Sequence, residues 1–281
     1  KSVIIWIPVP RSDSWQGISD VSVSCAYPFS FHTDPEYGNT ILKIAATDHL
    51  TRDLSASMNF RVTRFGYRML DQENTRRDTT SAAILNRFLL ADHLVPIDGK
   101  IAEEAKTVIR RDMSELKKAR SLYDHIVATM TYDKTGTGWG NGDALYACDI
   151  RRGNCTDFHS LFIGLARASS IPSRFIMGFP IPPGVVQGEI SGYHCWAEFY
   201  IEGIGWIPID ASEAKRHTKQ QDFFFGGLDE NRVQFSIGRD IPIDPALGEK
   251  PLNYFIYPYV EIDGHKSEEV EFKLRFKETT M

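Results

Sequence analysis

Cysteine is scarce in this chain, with four among 281 residues (Cys25, Cys148, Cys155, Cys195). That is too few for the disulfide framework that holds small secreted domains together. Long hydrophobic runs are missing as well. Spanning a bilayer takes roughly 18–20 apolar residues, and Val3–Val9, the start of the chain, is broken by Pro8 and Pro10. There is no surplus of positive charge either: the net charge is -5, so no basic stripe is available to hold phosphate backbones, and nucleic acid is not an expected partner. The glycines follow none of the phosphate-cradling spacings, and no acidic loop has the calcium-binding pattern. Cys148, Cys155, His159, His194 and Cys195 lack a close Cys pair, and adjacent His194 and Cys195 would point to opposite faces of a strand, so zinc is not expected. Neither a metal nor an organic cofactor is called for.

What the chain does have is enough apolar and aromatic residue to bury a sizeable core, in one large domain or two modest ones. Period-two patterns at Val3–Ile7, Val21–Cys25, Thr40–Ala46 and Met58–Thr63 predict strands, with a turn over Asp34–Asn39. The polar run Asp71–Asp78 reads as a linker. Beyond it the period becomes helical, first around Ile84, Leu85, Phe88 and Leu89, then through Leu116, Ala119, Tyr123, Ile126, Val127 and Met130. Gly136, Gly138, Gly140 and Gly142 make residues 135–143 a loop. A helix is expected from Cys155 to just before Ile171-Pro172, then strands at Phe175–Phe179, His194–Ile201 and Trp206–Ile209, with a hairpin turn over Glu202–Gly205. Tyr254–Ile262 and Val270–Phe276 add two more strands. The expected organisation is a small β-sandwich-like domain over residues 1–75 followed by a second, helix-containing domain over residues 76–281.

Cys155 at the start of a helix sits beside unpaired backbone N–H groups and the positive end of the helix dipole, which favours its thiolate. His194 and Asp210 follow on separate strands, in the order nucleophile, base, orienter. Gly153-Asn154-Cys155-Thr156-Asp157-Phe158, Tyr193-His194-Cys195-Trp196-Ala197-Glu198 and Trp206-Ile207-Pro208-Ile209-Asp210 closely resemble the transglutaminase-like superfamily. The resemblance covers about residues 80–212. Ile5-Trp6-Ile7-Pro8-Val9-Pro10 also resembles the β-rich segment that precedes the core in some bacterial members.

The resemblance implies an α+β fold, with a papain-like core of helices packed on an antiparallel sheet preceded by a small all-β domain. It implies that Cys155, His194 and Asp210 act together on a protein, peptide or peptidoglycan-like amide. Members crosslink glutamine to amines, deamidate, hydrolyse peptide or glycan-amide bonds, or have lost activity, so the resemblance fixes no substrate. The Cys155 N–H is one candidate oxyanion donor, and Trp139 and Tyr193 are candidates for the oxyanion site or cleft. Because the chain starts at Lys1 rather than Met, a removed secretory signal and an exported, periplasmic or extracellular protein are the expectation.

Plainer roles stand beside these. Cys25, Cys148 and Cys195 read as core residues, His159 as structural, and Asp157 as a complement to the helix dipole. Residues 180–192 read as a cleft wall or an ordinary surface connection. The competing function is a catalytically silent binding or scaffolding module.

Overall fold

The computed structural model describes residues 2–46, 54–71, 80–244, 251–268 and 270–279. Of the expected linker Asp71–Asp78, all but Asp71 lies outside them. In chain order the strands begin with β1 (Val3–Val9), β2 (Gln16–Cys25), β3 (Phe29–Thr33), β4 (Thr40–Ala46), β5 (Ala56–Arg64) and β6 (Tyr67–Arg68). Helices α1 (Ala82–Arg87), α2 (Gly99–Val108) and α3 (Glu115–Thr129) follow, then β7 (Thr131–Tyr132), α4 (Ala144–Ile150), β8 (Arg152–Gly153) and α5 (Cys155–Ala168). Next come β9 (Ser173–Pro180), β10 (Gln187–Ile190), β11 (His194–Ile201), β12 (Gly205–Ile209) and α6 (Ala211–Arg216). The chain closes with β13 (Gly227–Leu228), β14 (Arg232–Ile237), β15 (Tyr259–Ile262), β16 (His265–Lys266) and β17 (Leu274–Lys277). The fold is α+β.

The chain divides into two compact units, one formed by residues 1–65, 177–194 and 230–281, the other by 66–176 and 195–229. The first is a β unit. Its main sheet has the order β16-β15-β1-β4-β3, with β1 antiparallel to β4 from Val3↔Ala46 to Val9↔Thr40 and to β15 from Val3↔Ile262 to Trp6↔Tyr259. Alternation puts Val23, Cys25, Ala56 and Met58 of the β2–β5 ribbon on one face, where they pack against buried Val9, Leu42 and Ile44. Asp34 fixes the turn before β4 by accepting from the N–H groups of Glu36 (2.9 Å), Tyr37 (2.7 Å) and Asn39 (2.5 Å).

Two buried amides do the work of a missing strand. Gln16 donates to the Gln234 carbonyl at 2.9 Å and accepts from its N–H at 2.8 Å. Asn39 makes the same reciprocal pair with the backbone of Ile237, both at 2.8 Å. Each pair satisfies β14 groups that would otherwise be stranded without water.

Some local expectations differ from the structure. Only Tyr259–Ile262 of the run 254–262 is a strand, because Pro258 cannot donate to a ladder and Phe255 and Ile256 are buried in succession rather than in alternation. Of the run 270–276 only Leu274–Phe276 lies in a strand, which extends to Lys277, and its partner is β10, inside the stretch read as a cleft wall or an ordinary surface connection. Strands β3, β13 and β14 and helix α4 carry no pattern strong enough to expect.

The second unit is built around α5, against which α2, α3, α4 and α6 pack. Every residue from Cys155 to Arg167 is buried. The helices start where the side chains allow: Ser81 caps α1, Ser114 caps α3, and Asp143 caps α4 by accepting from Leu145 and Tyr146 N–H at 2.9 and 3.2 Å. The β11–β12 hairpin pairs Ala197↔Ile209 through Ile201↔Gly205, and Gly203 at φ 82° takes the left-handed turn position.

Candidate functional site

The site is built up from the first turn of α5. Asn154 is the N-cap, its Oδ1 accepting from Thr156 N–H at 3.0 Å and from the Thr156 hydroxyl. Asp157 reaches back to accept from the Asn154 N–H at 2.9 Å, which closes a capping box. The same carboxylate accepts from Gly140 N–H at 2.8 Å and Gly142 N–H at 3.1 Å. Asp157 is therefore more than a complement to the helix dipole, since it ties the glycine loop to the helix start. It is fully buried, and burial pushes its carboxyl up despite those three donors. Gly153, at φ 155°, leaves the space the carboxylate occupies: a Cβ there would lie 2.1 Å from Asp157 Oδ2. Cys155 then begins the helix and is 3 % exposed.

One turn further along the same face is His159, fully buried. Its Nε2 accepts from the Ala211 N–H at 3.2 Å, and its Nδ1 lies 3.6 Å from Cys195 Sγ. Asp210 Oδ1 is 3.5 Å from the same Nε2. A backbone N–H can only donate, so Nε2 carries the lone pair, the proton sits on Nδ1, and the His159–Asp210 approach is not an ion pair. The partners assign this tautomer. Asp210 is the N-cap of α6 and accepts from Glu213 N–H at 3.0 Å and the Ser212 hydroxyl at 2.9 Å.

Cys195 is fully buried. Burial first, then Cys155, then Asp210 and Asp157 push its thiol well up, so Cys155 and Asp210 both lie within electrostatic reach of one sulfur. All four cysteines are free thiols.

His194 opens β11, directly before Cys195, and is half-buried at the end of the 177–194 segment of the β unit. Tyr193 is also half-buried, its N–H donating to the Tyr257 hydroxyl at 3.3 Å and its ring packed 5.8 Å from Tyr254 and 5.9 Å from Tyr257. Trp139 stands in the glycine loop, where its indole N–H donates to the Gly136 carbonyl at 3.2 Å.

Tyr132 is a neighbour that sequence reading passed over. It pairs with Gly153 across the short parallel β7–β8 ladder, and burial, then Cys155, push its phenol up. The Arg216 guanidinium lies 5.3 Å from its ring. No spacing in the sequence signals this, because a two-residue strand has no period. Among the described residues no group of three or more His, Cys, Asp or Glu side chains is arranged to hold a metal ion.

With this geometry in view, residues 103–211 match the family model of the transglutaminase-like superfamily. An uncharacterized protein of Haemophilus influenzae is 27% identical over 298 residues, covering 92% of this chain and 80% of its own. An uncharacterized protein of Mycobacterium leprae is 27% identical over 158 residues, 52% of this chain and 53% of its own. Among solved structures, one named "a Putative Cysteine Protease from Cytophaga hutchinsonii" superposes with a TM-score of 0.65 at 19% identity, covering 100% of this chain and 86% of that one. At that identity the likeness is one of fold, a transglutaminase-like, papain-type core.

Proposed function

From this transglutaminase-like core we propose a thiol-dependent acyl-transfer enzyme acting on carboxamide or peptide bonds, with Cys155 as nucleophile, His194 as base and Asp210 as the group that orients it. The observation that carries the reading is the environment of Cys155. It is the first residue of a helix buried from Cys155 to Arg167, where N–H groups and the helix dipole favour a thiolate, and Asp210 is fully buried nearby in the same unit.

In the proposed reaction His194 takes the Cys155 proton and the thiolate attacks the carbonyl carbon, forming a C–S bond. The negative oxygen of the tetrahedral intermediate accepts from the Cys155 N–H, a class of contact worth about 2.7–4 kcal/mol. Collapse breaks the C–N bond, and His194 returns its proton to the departing ammonia or amine. Water or a second amine, deprotonated by His194, then attacks the thioester and restores the thiolate. Tyr132 and the glycine loop held by Asp157 border the nucleophile and supply walls for the acyl group.

The test is mass spectrometry of the protein mixed with peptide libraries, with and without a primary amine, beside Cys155→Ala. Peptide hydrolysis, the chemistry in the name of the Cytophaga hutchinsonii protein, is the first product to look for. Amine incorporation, a deamidation mass shift or cleavage fragments, each lost in Cys155→Ala, support the reading and separate its three chemistries. Equal turnover by wild type and Cys155→Ala refutes it. An iodoacetamide labelling midpoint for Cys155 near that of a free thiol, about 8.5, turns the reading toward a silent module.

A further inference from the structure

The backbone around Asp210 is fixed on both sides. Asp210 donates its own N–H to the Phe224 carbonyl at 3.0 Å. The next N–H, that of Ala211, is the first of α6 and has no acceptor inside its own helix. An imidazole from a different helix supplies one: His159 Nε2 accepts from it at 3.2 Å. His159, Asp210 and Ala211 are all fully buried, so bulk water does not replace that acceptor if it is lost.

We infer that His159 is a positioning residue for the proposed reaction: its Nε2 clamps the Ala211 N–H and so sets Asp210, the proposed orienting group, relative to the helix that carries Cys155. This rests on the reading of Cys155, His194 and Asp210 given above. Cys155 and His159 are four residues apart in α5, which places them on one face and about 6 Å apart along its axis. A single hydrogen bond therefore couples the element that carries the nucleophile to the residue next to the orienter. Displacing the imidazole releases one side of Asp210 while Phe224 still holds the other.

The clamp needs one tautomer. A backbone N–H can only donate, so Nε2 bears the lone pair and the proton is on Nδ1, facing Cys195 Sγ of β11 at 3.6 Å. The opposite tautomer would set an Nε2–H against the Ala211 N–H and aim it at Asp210 Oδ1, 3.5 Å away. With the lone pair there instead, Oδ1 keeps the Glu213 N–H and the Ser212 hydroxyl, and His159 does not compete with His194 for the carboxylate. A residue that only filled space would need the volume of the ring and neither nitrogen.

Two measurements on the full chain test this. Nitrogen-15 NMR of the histidine-labelled protein reads the tautomer: His159 is expected to carry a proton on Nδ1 and none on Nε2, and a proton on Nε2 overturns the clamp. The second follows Cys155 alkylation by iodoacetamide against pH, site by site with mass spectrometry, alongside circular dichroism to confirm folding. His159→Phe keeps a ring but offers no acceptor, and labelling of Cys155 at pH 6 is expected to slow about tenfold, equivalent to a rise of about one unit in its midpoint. His159→Gln, whose amide oxygen takes the place of Nε2, should recover most of the rate. His159→Asn, whose oxygen takes the place of Nδ1 and leaves the Ala211 N–H unmet, should not. Unchanged labelling in His159→Phe and His159→Asn overturns the clamp, as does a glutamine variant no faster than the asparagine one. If His159→Phe does not fold, the glutamine and asparagine variants decide alone. A wild-type midpoint near the free-thiol value, with the Nδ1 tautomer in place, would instead sink the proposed function, so the two failures are distinct.

Discussion

Replacing Asp157 tests whether the glycine loop is held by one carboxylate. Three N–H groups, those of half-buried Gly140 and of buried Gly142 and Asn154, converge on it at 2.8, 3.1 and 2.9 Å. Asp157→Ala removes all three bonds, and a buried donor that loses its acceptor costs about 1–3 kcal/mol. Relief from burying a carboxylate offsets part of that loss, so the expected destabilisation is about 3–5 kcal/mol. Asp157→Asn should be far milder. Oδ2 accepts from Gly140 and Asn154 and Oδ1 from Gly142 alone, so an amide with its oxygen at the Oδ2 position keeps two bonds and loses one, costing about 1–2 kcal/mol.

The same variant predicts a pH signature. Burial holds the folded carboxyl above its ordinary value of 3.8, so the native state binds this proton more tightly than the unfolded chain does. Its contribution to stability is fully present below the unfolded value and is lost as pH rises through the raised folded value. Asparagine does not titrate, so the variant's stability relative to wild type should improve as pH rises through that window. Urea denaturation of the three proteins between pH 4 and pH 8 measures both effects. Alanine and asparagine variants within about 0.5 kcal/mol of each other at neutral pH would show that the three hydrogen bonds do not hold the loop.

Gly153→Ala should be at least as damaging, about 3 kcal/mol or more, because its Cβ would fall 2.1 Å from Asp157 Oδ2 at a φ of 155°; a denaturation midpoint close to wild type would contradict this. Alkylation should discriminate among the thiols, reaching Cys155 well before Cys148, which burial and then the hydrogen bond to Glu104 push up to about 12; peptide mapping that finds Cys148 labelled first at neutral pH would contradict it. Burial pushes the Glu104 carboxyl up, but hydrogen bonds from His125, Arg151 and Cys148 outweigh it and hold the group at about 2. Its contribution, about 1–2 kcal/mol once screened by solvent, is present above the unfolded value of 4.5 and is lost as pH falls towards 2. Glu104→Gln should therefore reduce stability at pH 7 more than at pH 2.5, and an equal loss at both would show that the charge is not what matters.

Local pattern was enough wherever an element is specified by its own residues. The bounds expected for Thr40–Ala46 and His194–Ile201 are those of β4 and β11, and the helix starts at Cys155 as the cap and glycine before it require. Partner choice was not legible. Alternation marks Val3–Ile7 as a strand, but nothing within it says that Val3 will pair with Ile262. Gln16 and Asn39 look like ordinary polar residues until β14 is placed beside them, and β10 is legible only once β17 pairs with it. The candidate site divides in the same way. Cys155 and Asp210 were named from their flanks, whereas Asp157, His159 and Cys195 owe their roles to contacts made through space with residues distant in sequence.

Helix α5 shows why the through-space part matters. A helix buried on every side could be apolar throughout and lose nothing in packing. This one instead buries Thr156, Asp157, His159, Ser160 and Arg167. At its C-terminal end Arg167 donates to the Ser173 carbonyl at 2.9 Å and to the Leu90 carbonyl and Asp92 at 2.6 Å, in an ion pair with no exposed side-chain surface on either partner. Such a pair gains little over well-packed apolar residues, yet removing one member would strand the other at a cost of about 3–5 kcal/mol. Its effect is to fix geometry, locking the helix to the segments around Leu90 and Ser173. At the N-terminal end the polar partners include the backbone N–H groups of Gly140, Gly142 and Ala211 and the Cys195 thiol. The helix is thus held in register at one end by interactions that tolerate no sliding, and what that register keeps in place at the other end is the position of a single sulfur atom.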